Sequence, residues 1–164
     1  MILIALGANL SSSAGPPAIT IASSLGAMAD QRIRVLKVSP FYHSPAWPDP
    51  AEPPYVNGIA LVQTPLGPAG LLAALHVIEA AFGRERTLPN APRTLDLDLI
   101  DYDGRVEQGP PVLPHPRAQD RAFVLKPLAD IAPGWVHPVS GKTVAALLAA
   151  LPDADVAAVA RITA

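Results

Sequence analysis

Residues 92–100 read Pro92-Arg93-Thr94-Leu95-Asp96-Leu97-Asp98-Leu99-Ile100. Successive side chains on a strand point to opposite faces. Leu95, Leu97 and Leu99 therefore share one face, and Asp96 and Asp98 share the other. The apolar face needs a covering layer. The acidic face sets two carboxylates side by side, and they repel unless a positive charge lies between them. A hard divalent cation with oxygen ligands supplies that charge, and Mg²⁺ held by one or two carboxylates plus phosphates is a common arrangement. A solvated amphipathic strand is the competing reading of the same pattern.

The segments on either side of this strand complete a recognisable order. Leu71, Leu75, Ile78 and Phe82 recur at helical spacing between Pro68, suited to a first helical turn, and the helix stop at Gly83. Tyr55 to Thr64 reads as a strand, as does the β-branched alternation Arg32 to Val38. Ile19 to Ala29 reads as a helix, and Ile2 to Leu6, ending at Gly7, as a buried strand. The order is β-α-β-β-α-β, a ferredoxin-like core of the α+β class. Its helices are expected on one face of an antiparallel sheet. Two further helices are expected after it, near 122–129 and from Thr143 to Leu151. One domain accounts for all 164 residues. The 20 prolines cluster at 45–54, 65–68, 89–92 and 110–116, between patterned segments, and read as loop punctuation.

Composition narrows the function. Half the residues are hydrophobic, so a sizeable core is available. Net charge is −2 with only 12 Lys plus Arg, which argues against a broad nucleic-acid surface. There are no cysteines, so disulfides and Cys-based zinc sites are excluded. No signal peptide and no membrane span are read, which points to a cytoplasmic protein.

Several other residues carry candidate chemistry. Arg84, Arg86 and Arg93 bracket the acidic strand, and guanidinium groups grip phosphate oxygens with paired donors. Without a phosphate ligand these cations are expected to repel one another. A cationic cap on the preceding helix explains one arginine better than three. His115 lies between Pro114 and Pro116, which restrict its backbone, and Arg121 and Phe123 follow closely. A lone His is more often a packing or surface residue. Phe41 to Trp47 and Tyr55 to Asn57 supply rings and an amide suited to a flat heteroaromatic ligand. Core packing is the competing reading for Phe41 and Tyr42. Ser140-Gly141-Lys142-Thr143 imitates the end of a P-loop, but position 136 is Val136 rather than Gly. It reads instead as a turn, with Thr143 near a helix N-cap.

Taken in order, these pieces resemble the 6-hydroxymethyl-7,8-dihydropterin pyrophosphokinase family along nearly the whole chain. The elements are Leu6-Gly7-Ala8-Asn9-Leu10, Ser39-Pro-Phe-Tyr42-His-Ser44-Pro45 and Tyr55-Val-Asn57. Glu79, Gly83-Arg84-x-Arg86, and Pro92-Arg93 with Asp96 and Asp98 follow, then Pro114-His115-Pro116, Arg121-Ala-Phe123 and Pro127-Leu128. The resemblance implies transfer of diphosphate from ATP to the pterin alcohol, releasing AMP, in folate biosynthesis. It implies Asp96 and Asp98 as ligands of two Mg²⁺ ions, and Arg84 and Arg93 as catalytic cations beside them. His76, Glu79, Arg84, Arg86, Arg93, His115 and Arg121 would hold ATP. Ser44, Pro45, Trp47, Tyr55, Asn57, Asp96 and Phe123 would hold the pterin, with Tyr55 and Phe123 sandwiching its ring. A monomer with small-molecule partners is implied. The sequence departs from the family at Asn90-Ala91, where a Trp and a small residue are usual, at His76, where a Gln is frequent, and at Pro110 and Val112. The competing readings are a two-metal phosphohydrolase using Asp96, Asp98, His115 and His137, and a ferredoxin-like nucleic-acid module.

Overall fold

A computed structural model describes residues 1–85 and 88–163. Strand β1 (Ile2–Ala8) leads to helix α1 (Pro17–Ala27). Strands β2 (Arg34–Val38), β3 (Tyr42–Ser44) and β4 (Tyr55–Gln63) follow. Helix α2 (Pro68–Ala81) then precedes strand β5 (Asp96–Tyr102). The remainder is a small hairpin of β6 (Glu107–Gln108) and β7 (Val112–Leu113), then α3 (Ala122–Ile131), α4 (Val144–Ala150), α5 (Asp153–Ala157) and β8 (Ala160–Arg161). Pro68 opens α2, and Gly83 takes a φ of 82° just beyond its end, a left-handed conformation that suits glycine. Thr143 caps α4 through Ala146 N–H at 3.1 Å, so the P-loop look-alike is a capped turn.

Among the described residues the main sheet runs β5-β1-β4-β3-β8, with β2 also paired to β4, and every pairing is antiparallel. This is the expected core order, and α1 and α2 cover one face of it. Ile2, Ile4, Leu6, Leu97 and Leu99 pack there with Ile21, Leu71, Leu75 and Ile78. The helices are not confined to that face. Leu3, Ile59 and Ile100 on the other face pack with Val124, Leu125 and Leu128 of α3 and with Val144 and Leu147 of α4. The added C-terminal helices thus build a second core.

Strand β5 does not alternate cleanly to its end. Its register against β1 shifts between Leu3 and Ile4, leaving Ile100 as an extra residue. The bulge turns Asp101 towards the second core, where its carboxylate accepts the Trp135 Nε1–H at 2.8 Å. Ile100 C=O, freed from the ladder, accepts the His115 backbone N–H at 2.9 Å and so fastens the His115 segment to β5.

Along β1 the residues facing the second core shrink from Leu3 to Ala5 to Gly7. Their cross-strand neighbours change in step. Leu3 faces Leu61 and Asp101, Ala5 faces Ile59 and Asp98, and Gly7 faces Asn57 and Asp96. A Cβ on Gly7 would lie 3.6 Å from Asn57 Oδ1 and 3.9 Å from Asp96 Cβ, confirming that these three share a face. The layer is therefore filled under α3 and α4 and empty at the Gly7 end.

Candidate active site

The empty end is a cavity of about 450 Å³. Gly7 and Ala5 form its floor, β4 and β5 its sides, and the loops after β3, before β5 and before α3 its rim. Of the residues singled out from sequence, Ser44, Pro45, Trp47, Tyr55 and Asn57 line one part, and Arg93, Asp96, Asp98, Arg121 and Phe123 the rest. Strands β1, β3, β4 and β5 supply Gly7, Ser44, Tyr55, Asn57, Asp96 and Asp98, while Pro45, Trp47 and Asn90 come from the proline-containing loops at the rim.

The pocket side is set by the β3–β4 pairing. Ser44 pairs with Tyr55 and Tyr42 with Asn57. Asn57 is buried, and its Nδ2 donates to Ser44 Oγ at 2.7 Å, leaving Oδ1 over the floor. Burial raises the Tyr55 phenol above its ordinary value against the pull of Arg93, so the ring stays neutral and is available for stacking. Arg121 lies 5.5 Å from the Phe123 ring centroid, and Arg117 lies 5.9 Å from that of Trp47. Phe41 and Tyr42 are core residues instead. The Phe41 ring closes on Gly58, where a Cβ would come within 2.9 Å of it, and the Tyr42 hydroxyl donates to Asp130 at 2.6 Å.

The acidic side differs from the expectation of mutually repelling cations. Arg84 and Arg93 both converge on Asp96. Arg84 NH1 reaches Asp96 Oδ1 at 2.9 Å, and Arg93 NH1 reaches Oδ2 at 3.0 Å. Burial pushes the Asp96 carboxyl up, but the two guanidinium groups outweigh it and hold it below the usual carboxylate range. Arg84 is itself positioned from behind by Glu79, at 3.2 Å. Glu79 is only 2% exposed, and the same Oε2 accepts the Leu97 backbone N–H at 3.0 Å. It therefore ties α2, Arg84 and β5 together without lining the cavity.

Asp98 has no such cage. No hydrogen bond reaches its carboxylate among the described residues, and His115 Nε2 stands 4.0 Å from Oδ2. Burial and then the Asp96 charge push its carboxyl up to about 7. His115 is pushed the other way, down to about 4, by burial and by Arg121. Its Nδ1 accepts the Arg117 N–H at 3.1 Å, so the neutral ring carries its proton on Nε2, the nitrogen beside Asp98.

Some sequence expectations fall elsewhere. His76 lies on the exposed side of α2 and does not line the cavity. Arg86 lies outside the described residues. His137 is buried beside the Trp135 ring, with Nδ1 accepting from the backbone of Val139 and Ser140, and it does not line the cavity. That removes it from the phosphohydrolase reading. Arg117 and Asn9 were given no role from sequence, although Asn9 lies in a quoted motif and Arg117 directly follows one. Arg117 lines the rim, and Asn9 bonds to two rim loops.

The sequence model of the 7,8-dihydro-6-hydroxymethylpterin-pyrophosphokinase (HPPK) family matches residues 3–133. A Synechocystis protein named 2-amino-4-hydroxy-6-hydroxymethyldihydropteridine pyrophosphokinase is 43% identical over 148 residues, covering 89% of this chain and 73% of that one. The Pseudomonas aeruginosa protein of the same name is 40% identical over 92% of this chain and 91% of its own length. Folic acid synthesis protein fol1 of Pneumocystis carinii is 36% identical over 94% of this chain, which spans only 20% of that protein. Among solved structures, Plasmodium falciparum HPPK-DHPS is similar in fold, with a TM-score of 0.65 at 13% identity over 89% of this chain and 43% of that chain. A match running from β1 past the end of α3, with like-named relatives aligned over most of their length, makes this chain a member of the 7,8-dihydro-6-hydroxymethylpterin-pyrophosphokinase family.

Proposed function

We propose that the cavity holds ATP and the pterin alcohol together, and that its two sides divide the family's diphosphate transfer between them. The observation that carries this is the row Asn57–Gly7–Asp96 across the sheet. It sets a buried amide and a caged carboxylate on either side of a floor without a side chain. The pterin ring lies over Gly7, between Tyr55 and Phe123. Asn57 and Ser44 bond its polar edge, and Pro45 and Trp47 close the outer side. Arg84, Arg93 and Arg121 face the triphosphate, joined by Arg117 from the rim. Glu79 acts through Arg84, which it orients, and His115 donates from Nε2. His76 and Arg86 remain proposed contacts on the nucleotide side.

Asp96 and Asp98 fit Mg²⁺. A pair of neighbouring carboxylates, one of them driven towards its neutral form by burial and by the other's charge, has the chemistry of a hard-cation site. No cluster of three or more acidic, His or Cys side chains is present among the described residues, so phosphate oxygens and water would complete the ligand set of two ions. Bound there, Mg²⁺ would neutralise the charge developing on the transferred group. The pterin hydroxymethyl oxygen attacks the β-phosphorus and the bond from that phosphorus to the α–β bridging oxygen breaks. AMP leaves with that oxygen, and the hydroxyl proton is released. The residues contribute positioning and fixed charge.

The same reading makes the protein a cytoplasmic monomer with small-molecule partners. No helix among the described residues is long and apolar enough to cross a membrane. Incubation with Mg-ATP should yield AMP only when 6-hydroxymethyl-7,8-dihydropterin is added. ATP breakdown at the same rate without pterin would favour the hydrolase reading. Asn57→Ala should weaken pterin binding by about 1–3 kcal/mol, the cost of leaving a buried polar edge unpaired. Calorimetry giving wild-type affinity would remove Asn57 from the pocket.

A further inference from the structure

Asn9 has no role in the transfer described above, yet its side chain is fully committed. It follows β1 directly, two residues beyond the floor at Gly7, and is 4% exposed. Its Nδ2 donates to Pro53 C=O at 3.0 Å, and its Oδ1 accepts the Arg93 N–H at 2.8 Å. Its backbone N–H and that of Leu10 both donate to Arg93 C=O at 3.1 Å. A flipped amide would set oxygen against the Pro53 carbonyl and NH₂ against the Arg93 N–H, so one orientation satisfies both ends.

The two partners belong to different halves of the site. Pro53 lies near the end of the proline-rich loop that brings Pro45 and Trp47 to the cavity, two residues before Tyr55 at the start of β4. Arg93 ends the loop that follows α2, and its guanidinium rests on Asp96. No hydrogen bond joins residues 45–54 to residues 88–93 directly among the described residues. Each loop also has few internal bonds: Asp49 accepts from Glu52 N–H and Ala51 N–H in one, and in the other Ala91 N–H donates to Leu88 C=O and Arg93 Nε–H to Ala91 C=O. The Asn9 amide is thus the polar link between two sparsely bonded segments, and it is anchored in the sheet.

We infer that Asn9 is a positioning residue that couples the two substrate halves of the cavity, resting on the function proposed above. A ligand that orders the 45–54 loop fixes Pro53, which fixes the Asn9 amide. The amide then presents Oδ1 to Arg93, so a second ligand has less ordering left to do. The coupling is reciprocal, and each ligand strengthens the other by the same factor.

The test is calorimetry of the pterin alcohol with and without the Mg²⁺ complex of an ATP analogue carrying methylene at the α–β bridge. Asn9→Ala releases both loops. Asn9→Asp keeps an oxygen for the Arg93 N–H but sets a second oxygen against Pro53 C=O, releasing the pterin-side loop alone. In the wild type the analogue should tighten pterin binding by about 5-fold or more, within the usual range of coupling between sites. In both variants the factor should fall to about twofold or less. The factor is a ratio measured on one protein, so general loss of stability does not imitate this result. Variants that keep the wild-type factor, whatever their melting temperature, overturn the role of Asn9, as does a wild type with no coupling. Wild-type protein that binds neither ligand overturns the proposed function itself.

Discussion

Asp98→Asn is expected to make the ligand-free protein more stable at alkaline pH while lowering turnover by about 10²–10³-fold, the scale of losing one fixed charge-stabilising group. In the folded protein the carboxyl is pushed from its ordinary 3.8 up to about 7. The folded state thus holds this proton more tightly than the unfolded chain. Its contribution to stability is fully present below about pH 4 and is lost as pH rises through 7. At pH 8 the wild type carries a charge that burial and the neighbouring Asp96 disfavour, and the amide carries none. The melting temperature of the variant should therefore gain on that of the wild type from about pH 4 to about pH 8, across the window in which the folded and unfolded carboxyls differ in protonation. Mg²⁺ should raise the wild-type melting temperature more at pH 8 than at pH 5, because protons compete for the same oxygens. The variant should lose most of that response. A wild-type-to-variant difference that is flat with pH would make Asp98 an ordinary solvated carboxylate.

Arg93→Ala is expected to reduce kcat by about 10²–10³-fold as well. Arg93 lines the cavity, holds Asp96 Oδ2 at 3.0 Å, and lies near Tyr55. Truncation leaves Asp96 to Arg84 alone, and the Asp96 carboxyl should move back towards its ordinary value. Arg93→Lys restores a point charge without the planar fork and should recover activity only partly. Steady-state kinetics with each substrate varied would check this. A kcat for Arg93→Ala within about threefold of wild type, with only the KM for ATP raised, would assign Arg93 to ground-state binding and remove it from the transfer step.

The core order was legible because β1, β2, β4, α2 and β5 each carry their own apolar period. Leu71, Leu75 and Ile78 are buried as their spacing requires, and Leu97 and Leu99 face the α1–α2 layer. Strand β3 was not legible. It is three residues long, set between prolines, and exists because Tyr42–Ser44 pairs with β4 and with β8. Strand β8 has two residues and the same dependence on a distant partner. The bulge at Ile100 was hidden as well, since Asp101 reads as a continuation of the alternation. The shared face of Asp96 and Asp98 was legible because strand periodicity fixes it, whereas Asn57 was singled out by its amide chemistry and by the family resemblance. The convergence of Arg84 and Arg93 on Asp96 was not legible, because it needs the loop before β5 to fold back. Asn9 lay in a quoted motif, but both of its partners are more than 40 residues away. His76, proposed on the nucleotide side from the resemblance, lies on the exposed side of α2 and outside the cavity lining, a placement that helical spacing alone did not give.

The series Leu3, Ala5, Gly7 makes the depth of the binding space a property of alternate residues on one strand. The intervening residues, Ile4, Leu6 and Ala8, belong to the opposite core. Selection for a larger or smaller substrate could therefore act on positions 5 and 7 while the core under α1 and α2 stays untouched. A single added methyl at position 7 narrows the gap between Asn57 and Asp96, and one at position 5 crowds Ile59 and Asp98. Resistance to a bulky competitive inhibitor has the same two addresses. Any change that excludes the drug at either one also shortens the space in which the natural ring must lie.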